Sequence, residues 1–178
     1  MKKWIIIVSI IIVIAVGTIV YYKHDQKNPK KVTVKMTEVE FHNPEKFENY
    51  TNDEDYVSYG YNSKNTDISC LYHIDIDNYN SYTTGREYLG DRITFSLNDE
   101  VGEIEEKTVN GIVWNSLKVV ENNKYSQSTT YYYVALKNEK TYLFEYEIND
   151  YQRGDYGGET DDYCEKSLDE VLSSIKIK

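Results

Sequence analysis

Residues Ile68 to Ile76 read ISCLYHIDI, and apolar and polar side chains largely alternate along them. In an extended chain, successive side chains point to opposite faces, so a period of two is typical of a β-strand with one buried side. The face predicted to be buried carries Ile68, Cys70, Tyr72, Ile74 and Ile76. The other face carries Ser69, Leu71, His73 and Asp75. This strand therefore predicts a β-sheet with a core on one side.

The same pattern, in weaker form, extends the predicted sheet on both sides of this strand. Asn110-Gly111 is typical of a two-residue hairpin turn between two strands, and residues 122–130 are predicted to form a loop. Alternation predicts strands at Val32–Phe41, Tyr56–Tyr61, Ile104–Val109, Ile112–Val120, Tyr131–Leu136 and Thr141–Ile148.

Two stretches have the pattern of helices. Thr84 and Glu87 have the spacing of a capping box, which predicts a short helix from Thr84 to about Phe95. Asp162 and Glu165 have the same spacing and begin a second predicted helix. The apolar stripe of that helix consists of Cys164, Leu168, Val171, Leu172 and Ile175. Together these elements predict an α+β fold, an antiparallel β-sheet flanked by helices.

The N-terminal run Trp4–Tyr22 contains no charged residue. At about 1.5 Å per residue, a helix of this length nearly spans the roughly 30 Å hydrocarbon core of a membrane. We therefore expect one transmembrane anchor at 1–22, a polar linker at 23–31 and a single domain at 32–178. Residues 15–17, Ala-Val-Gly, leave open the alternative of a cleaved signal peptide.

The lysines around the apolar run give conflicting signals for orientation. More lysines follow the run than precede it, which by the positive-inside rule would place the domain in the cytoplasm. A short N-terminal tail with Lys2 and Lys3 is instead typical of an export signal, and two cysteines suit an oxidising compartment. We expect a single-pass protein of the cell membrane with its domain on the extracytoplasmic side.

The predicted domain is strongly acidic. Residues 32–178 carry 14 basic and 29 acidic side chains, a net charge of −15, which argues against nucleic-acid binding. The chain also has 19 Tyr but only four Phe. Such a composition fits an aromatic surface for sugars or peptides. It also fits the codon usage of an AT-rich genome, and Tyr suits half-exposed strands.

Cys70 and Cys164 both fall on predicted core faces, one on a strand and one at the start of the last helix. Because that helix has to pack on the sheet, the pattern predicts a Cys70–Cys164 disulfide. The alternative is two small buried side chains that do not pair.

Recognisable chemistry is sparse in this sequence. The three histidines are scattered, and we expect His73, on the outward face of its strand, to be solvated. The sequence has no zinc motif and no GxSxG, and Ser173–Lys176 matches the SxxK pattern only by chance, because its partner motifs are absent. Two acidic segments are calcium candidates, through Asp75 and Asp77 and through Asp155 and Asp161. We therefore expect no catalytic residues and no cofactor, with calcium binding as the alternative.

Several segments resemble the PsbP/Mog1-like domain, and the resemblance spans most of residues 32–178. The segments are Val39–Phe41 with Asn43-Pro44, Asn110-Gly111 with Trp114, Tyr131–Val134, Lys137–Tyr142 and Leu172–Ile177. Small membrane-anchored or lipoprotein versions of this domain occur in Gram-positive bacteria. The resemblance implies an antiparallel sheet flanked by helices and a non-enzymatic binding or assembly role. Because this chain lacks the lipidated cysteine of the lipoprotein members directly after its apolar run, its tether would be the helix itself.

These observations favour an extracytoplasmic binding or scaffold domain without catalytic activity, whose partner is an envelope protein or a glycan. Two alternatives stay open. One is a cell-envelope enzyme with a site built from carboxylates, and the other is a calcium-dependent adhesin.

Overall fold

The computed structural model of the chain describes residues 32–63, 68–78, 82–92, 99–123, 126–150 and 162–178. Within these residues, no helix has both the length and the apolar character needed to cross a membrane. The predicted anchor Trp4–Tyr22 and the linker 23–31 lie outside them.

Most of the described residues belong to a large antiparallel sheet of eight strands. The remaining three strands form a small sheet. In chain order the strands are β1 Val32–Lys35, β2 Val39–Asn43, β3 Glu48–Asn52, β4 Tyr56–Asn62, β5 Ile68–Asp77, β6 Asp99–Val101, β7 Glu105–Val109, β8 Ile112–Asn122, β9 Gln127–Lys137, β10 Lys140–Asp150 and β11 Lys176–Ile177. The helices are α1 Gly85–Arg92 and α2 Asp162–Ser174.

The order of strands in the large sheet is β3-β4-β5-β10-β9-β8-β6, and β7 also pairs with β8. The small sheet has the order β1-β2-β11. At the centre of the large sheet, β5 pairs with β10, although the two strands are far apart in sequence. On either side of this pair, most neighbouring strands are consecutive in the chain and form hairpins. β5 alternates buried and half-buried side chains from Ile68 to Asp77, as its sequence predicts.

The main core lies between one face of the large sheet and the layer formed by α2 and the small sheet. We call this face the core face. Tyr72 on β5 and Phe144 and Tyr146 on β10 are fully buried there. The predicted stripe of α2 is buried as well, at Cys164, Leu168, Val171, Leu172 and Ile175. Burial of this stripe fixes α2 on the sheet because apolar area is removed from water on both partners.

The opposite face of the sheet, which we call the α1 face, has a smaller core. Tyr88 and Leu89 of α1 are buried against Leu117, Val119 and Val134 of β8 and β9. α1 begins beside the predicted capping box, in which the Glu87 amide donates a 3.1 Å hydrogen bond to Thr84 Oγ1. The Glu87 carboxylate in turn accepts one of 3.0 Å from the Thr83 amide, one residue earlier than predicted.

Cys70 of β5 and Cys164 of α2 form a disulfide bond, with Cα atoms 5.9 Å apart. The Tyr146 hydroxyl donates a 2.7 Å hydrogen bond to the carbonyl oxygen of Cys164. The first turn of α2 is therefore tied to the two central strands of the sheet, to β5 covalently and to β10 by a buried hydrogen bond.

The structure differs from the sequence-based prediction at several edges. The predicted strand Val32–Phe41 is two strands, because the chain turns where the Met36 amide donates to the Val39 carbonyl at 2.8 Å. Residues 127–130 belong to β9 and not to a loop. The short strands β3, β6 and β11 were not predicted. Most side chains of β3 and β6 are exposed, so these strands lack the apolar alternation that marks a half-buried strand.

Candidate functional site

A groove of about 650 Å³ lies at the end of the large sheet, where β3 pairs with β4. Lys46, in the turn between β2 and β3, and Glu48 and Tyr50, on β3, line one part of it. Gly60, Tyr61 and Asn62 line the part formed by β4. Its volume is within the roughly 300–1,000 Å³ typical of small-molecule sites. We refer to it as the β3–β4 groove.

A β-bulge positions the most exposed aromatic ring of the groove. The pairing of β3 with β4 shifts register between Asn49 and Thr51, so Tyr50 has no direct partner. Its ring instead lies over Gly60, where an added Cβ atom would overlap Cε2 and come 2.9 Å from Cζ. The Tyr50 side chain is nevertheless 54% exposed. Because Gly60 has no side chain, the far end of the Tyr50 ring can lie against β4 while much of the residue stays in contact with solvent.

The ammonium group of Lys46, which also lines the groove, lies over two aromatic rings. Lys46 Nζ lies 4.4 Å from the ring centroid of Tyr163 and 5.5 Å from that of Tyr61. The Tyr61 and Tyr163 rings pack edge to face at 4.8 Å, and buried Phe47 packs against both. The Lys46 amide donates a 3.2 Å hydrogen bond to the Tyr163 hydroxyl. Cation–π and backbone contacts therefore hold this lysine in place.

The groove offers several different hydrogen-bonding groups within a small area. The side chains of Lys46, Glu48, Tyr50 and Asn62 are all exposed. They supply an ammonium donor, a carboxylate acceptor, a phenol and an amide that both donates and accepts. One positive and one negative charge among the lining residues leave the groove without a net charge, although the domain as a whole is acidic.

A second polar group lies further in on the α1 face, and we call it the His73 cluster: Tyr56, Ser58, His73, Glu145 and Glu147. The Tyr56 and Ser58 hydroxyl oxygens lie 3.2 and 3.4 Å from His73 Nδ1. His73 Nε2 lies 3.8 Å from Glu145 Oε1, because β5 and β10 place these residues directly opposite each other. His73 is thus half-buried and has several partners, whereas its strand pattern had predicted a solvated residue.

The electrostatics of the His73 cluster favour neutral forms of both central groups. Burial lowers the pKa of His73, although the charges of Glu147 and Asp75 partly oppose this. Burial raises the pKa of Glu145 to about 7, and the negative charge of Glu147 adds to the effect. The Glu147 carboxylate accepts a 3.1 Å hydrogen bond from the Ser128 hydroxyl. Ser58 is buried on a strand fully paired with its neighbours, so it lacks the exposed turn on which serine nucleophiles usually lie.

The calcium candidates receive no further support in the described part of the chain. Asp75 and Asp77 lie two residues apart on β5, on the α1 face and away from the β3–β4 groove. Among the described residues, no three His, Cys, Asp or Glu side chains converge in an arrangement suited to a metal ion. Asp155 and Asp161 lie outside the described residues. Calcium binding by these residues therefore stays a prediction.

Sequence reasoning did not find the β3–β4 groove, because β3 itself was not predicted. One signal was available, since Gly60 interrupts an otherwise strand-like run, YVSYGY, at residues 56–61. A glycine inside a strand often marks a bulge or a close approach by another group. Here the close approach is made by the ring of Tyr50.

The sequence matches no protein-family model and no curated protein. The fold is similar to the crystal structure of LpqN of Mycobacterium tuberculosis, a protein involved in cell envelope biogenesis, with a TM-score of 0.50 and 8% identity. That match covers 87% of this chain and 95% of LpqN. A Bacteroides thetaiotaomicron protein matches with a TM-score of 0.43 and 12% identity over 79% of this chain, which spans 45% of that protein's length. At this identity, the likeness to LpqN concerns the fold alone.

Proposed function

We propose that this chain is a membrane-anchored binding domain on the extracytoplasmic side of the cell envelope, and that the β3–β4 groove binds its ligand without catalysing a reaction. The observation that carries the proposal is the groove itself. It combines an exposed ring seated on Gly60 with a lysine held over two aromatic rings. Such preorganised groups bind a ligand with little loss of side-chain entropy.

Three observations support the proposed location. The uncharged run Trp4–Tyr22 has the length of a membrane anchor. The Cys70–Cys164 disulfide fits an oxidising compartment, since cytosolic proteins rarely keep such bonds. The fold is shared with LpqN, whose role is in cell envelope biogenesis.

The location is tested by counting thiols and by protease treatment of intact cells. If the domain is extracytoplasmic, both cysteines resist alkylation until they are reduced, and protease added outside the cells removes residues 32–178. Free thiols on a protease-resistant domain would place it in the cytoplasm and would overturn the proposal.

Binding is tested by sedimenting the full-length protein, kept in detergent, with cell envelopes from which detergent has removed the membrane lipids, so that the predicted anchor does not itself carry the protein into the pellet. Replacing Lys46 and Asn62 with Ala removes two groups of the groove, so we expect less protein in the pellet. Val113 is also exposed and lies on β8, towards the other end of the sheet, and Val113→Ala is the control outside the groove. If the groove variant and the control sediment like the natural protein, the groove does not bind the envelope ligand.

We further propose that the domain is a distant PsbP/Mog1-like domain with the binding or assembly role that this resemblance implies. The support is the order of strands, helices and turn motifs along residues 32–178. A crystal structure of the full-length protein that superposes on such domains element by element would support this, and a different order of strands in the sheet would contradict it.

A second candidate function is a cell-envelope hydrolase that uses the His73 cluster. The specific observation in its favour is that Glu145 and Glu147 extend from the same face of β10, with Glu145 opposite His73. Glycoside hydrolases usually use two carboxyl groups with different pKa values, one as the acid and the other as the base or nucleophile. Mass spectrometry of envelope polysaccharide fragments incubated with the protein tests this function. Shortened products that disappear in Glu145→Gln would support it, and uncut fragments would exclude it for these substrates.

A further inference from the structure

We infer that the ligand of the β3–β4 groove is an uncharged polysaccharide of pyranose sugars, and that the Tyr50 ring is the platform for one sugar ring. The inference rests on the proposed function, because it names the ligand class of the same groove. Three properties of the groove carry it: the seating of Tyr50, the polar groups around it and its balance of charge.

The position of Tyr50 leaves more than half of this aromatic residue exposed. The far end of its ring, at Cε2 and Cζ, lies against Gly60, and Tyr50 is still 54% exposed. The face of an aromatic ring is electronegative and attracts the weakly positive C–H groups on the apolar face of a pyranose. Because Gly60 has no side chain and the bulge fixes the backbone, the ring loses little freedom when a sugar stacks on it.

The polar groups around Tyr50 suit sugar hydroxyls. A hydroxyl both donates and accepts hydrogen bonds, so a site for several hydroxyls needs donors and acceptors close together. Glu48 pairs across the strands with Gly60, on which the Tyr50 ring lies, and Asn62 follows Gly60 by two residues. An acceptor and an amide therefore lie beside the ring. Lys46, in the turn before β3, supplies a donor that also lines the groove.

The balance of charge argues against an anionic ligand. The domain has a net charge of −15, which repels teichoic-acid-like polymers and other polyanions. Lys46 and Glu48 cancel each other within the groove, so no local positive patch offsets that repulsion. An uncharged chain of sugars meets no such penalty. A protein partner is the other class of ligand, and the experiment below separates the two.

The test is isothermal titration calorimetry of the full-length protein in detergent with three probes. Cellohexaose and the chitin hexamer are uncharged, while an oligomer of galacturonic acid is anionic and of similar size. We expect binding of at least one uncharged probe and none of the anionic one. Tyr50→Phe keeps the ring and should change the affinity by less than about threefold, whereas Tyr50→Ala should weaken it about tenfold or more.

Gly60→Ala provides a second variant that leaves Tyr50 itself intact. The new methyl group would overlap the far end of the Tyr50 side chain, which can swing away with little effect on the fold. We therefore expect weaker binding of the uncharged probe, with an unfolding temperature near that of the natural protein. Val113→Ala, which lies elsewhere, should leave binding unchanged.

The outcomes distinguish a wrong inference about the ligand class from a wrong proposed function. If no uncharged probe binds, or if Tyr50→Ala and Gly60→Ala bind normally, the polysaccharide inference is wrong. If envelope sedimentation still depends on Lys46 and Asn62 in that case, the groove binds another component and the proposed function stands. If that dependence is also absent, both fail.

Discussion

The hydroxyl of Tyr72 donates a 2.6 Å hydrogen bond to Asn43 Oδ1, and both side chains are buried. Asn43 Nδ2 in turn donates a 3.1 Å hydrogen bond to the carbonyl oxygen of Phe47. The centre of β5 therefore fixes the turn between β2 and β3. Since Lys46 lies in that turn, this buried hydrogen bond also positions the lysine of the β3–β4 groove.

Replacing Tyr72 with Phe should lower the free energy of unfolding by about 1–3 kcal/mol. The ring would still fill the core, but Asn43 Oδ1 would be left buried without its donor. Urea unfolding of the purified protein measures the change. Tyr59→Phe is the matched control, since the Tyr59 ring stacks on that of Tyr72 at 5.4 Å and its hydroxyl bonds to no other described residue. Equal losses in both variants would show that the Tyr72–Asn43 bond is not the cause.

Removing the disulfide should be the most destabilising change of all. Cys70 and Cys164 are 94 residues apart in sequence. A cross-link over such a loop lowers the entropy of the unfolded chain, which raises the free energy of unfolding by about 4–5 kcal/mol in the chain-entropy model. We expect Cys70→Ala with Cys164→Ala to lower the free energy of unfolding by an amount of that order. Denaturation of the natural protein with and without reductant is the corresponding measurement on an unchanged sequence. A loss below about 1 kcal/mol would contradict the expectation.

The centre of the fold could be predicted because each central element has one buried side. β5 alternates in burial along its whole length and β10 does so from Tyr142 to Glu147, while α2 buries the residues of its predicted stripe. The same patterns predicted that Cys70 and Cys164 both face the core. Burial leaves a clear periodic record in sequence, since a single shift of register would expose every apolar side chain.

The β3–β4 groove could not be predicted for the converse reason. β3 is exposed almost throughout, so its sequence, ENYTN, carries no apolar period. The contacts that shape the groove join residues distant in sequence, as when Lys46 packs on the ring of Tyr163. The partners of His73 were missed likewise, because they depend on the register of β5 with β4 and β10. The alternation within one strand shows which face is buried, but it does not show which residues of the neighbouring strands lie opposite His73.

Glu38 joins the small sheet to the large one, and its loss should lower thermal stability. Its carboxylate accepts hydrogen bonds of 2.6 Å from Lys140 Nζ and 2.7 Å from the Tyr142 hydroxyl. These bonds lower the pKa of Glu38, so its contribution is present above the ordinary value of 4.5 and is lost as the pH falls through the lowered pKa. We expect Glu38→Gln to unfold at a lower temperature at pH 7.

The difference between Glu38→Gln and the natural protein should shrink as the pH falls below 4.5, because the natural carboxyl group then becomes protonated as well. Calorimetric scans between pH 7 and pH 3 measure it. Glu40→Gln, two residues further along the chain, is the matched control. A difference that stays constant over this range would mean that the charge of Glu38 does not stabilise the fold.

Glu145 should have the opposite pH dependence. Burial and the charge of Glu147 raise its pKa from 4.5 to about 7, so the folded state favours the neutral carboxyl group. The stability that this provides is complete below about pH 4.5 and is lost as the pH rises to about 7 and above. Glu145→Gln keeps a neutral group at every pH. We therefore expect the variant to be more stable than the natural protein at pH 8, by on the order of 1–3 kcal/mol, and equally stable near pH 4.

Urea unfolding of the two proteins at pH 4, 6 and 8 measures this difference directly. Both proteins keep His73, whose pKa in the folded state lies below its ordinary value of 6.5. Protonation of this histidine therefore lowers the free energy of unfolding of both proteins as the pH falls below 6.5, and the effect largely cancels when the two are compared. Glu147→Gln tests why the pKa of Glu145 is raised, because it removes the neighbouring negative charge while leaving Glu145 in place. In that variant the pKa of Glu145, followed by carboxyl carbon NMR, should fall below about 7. A Glu145→Gln variant that is less stable at pH 8 would instead show that the ionised carboxylate is held by a charged His73.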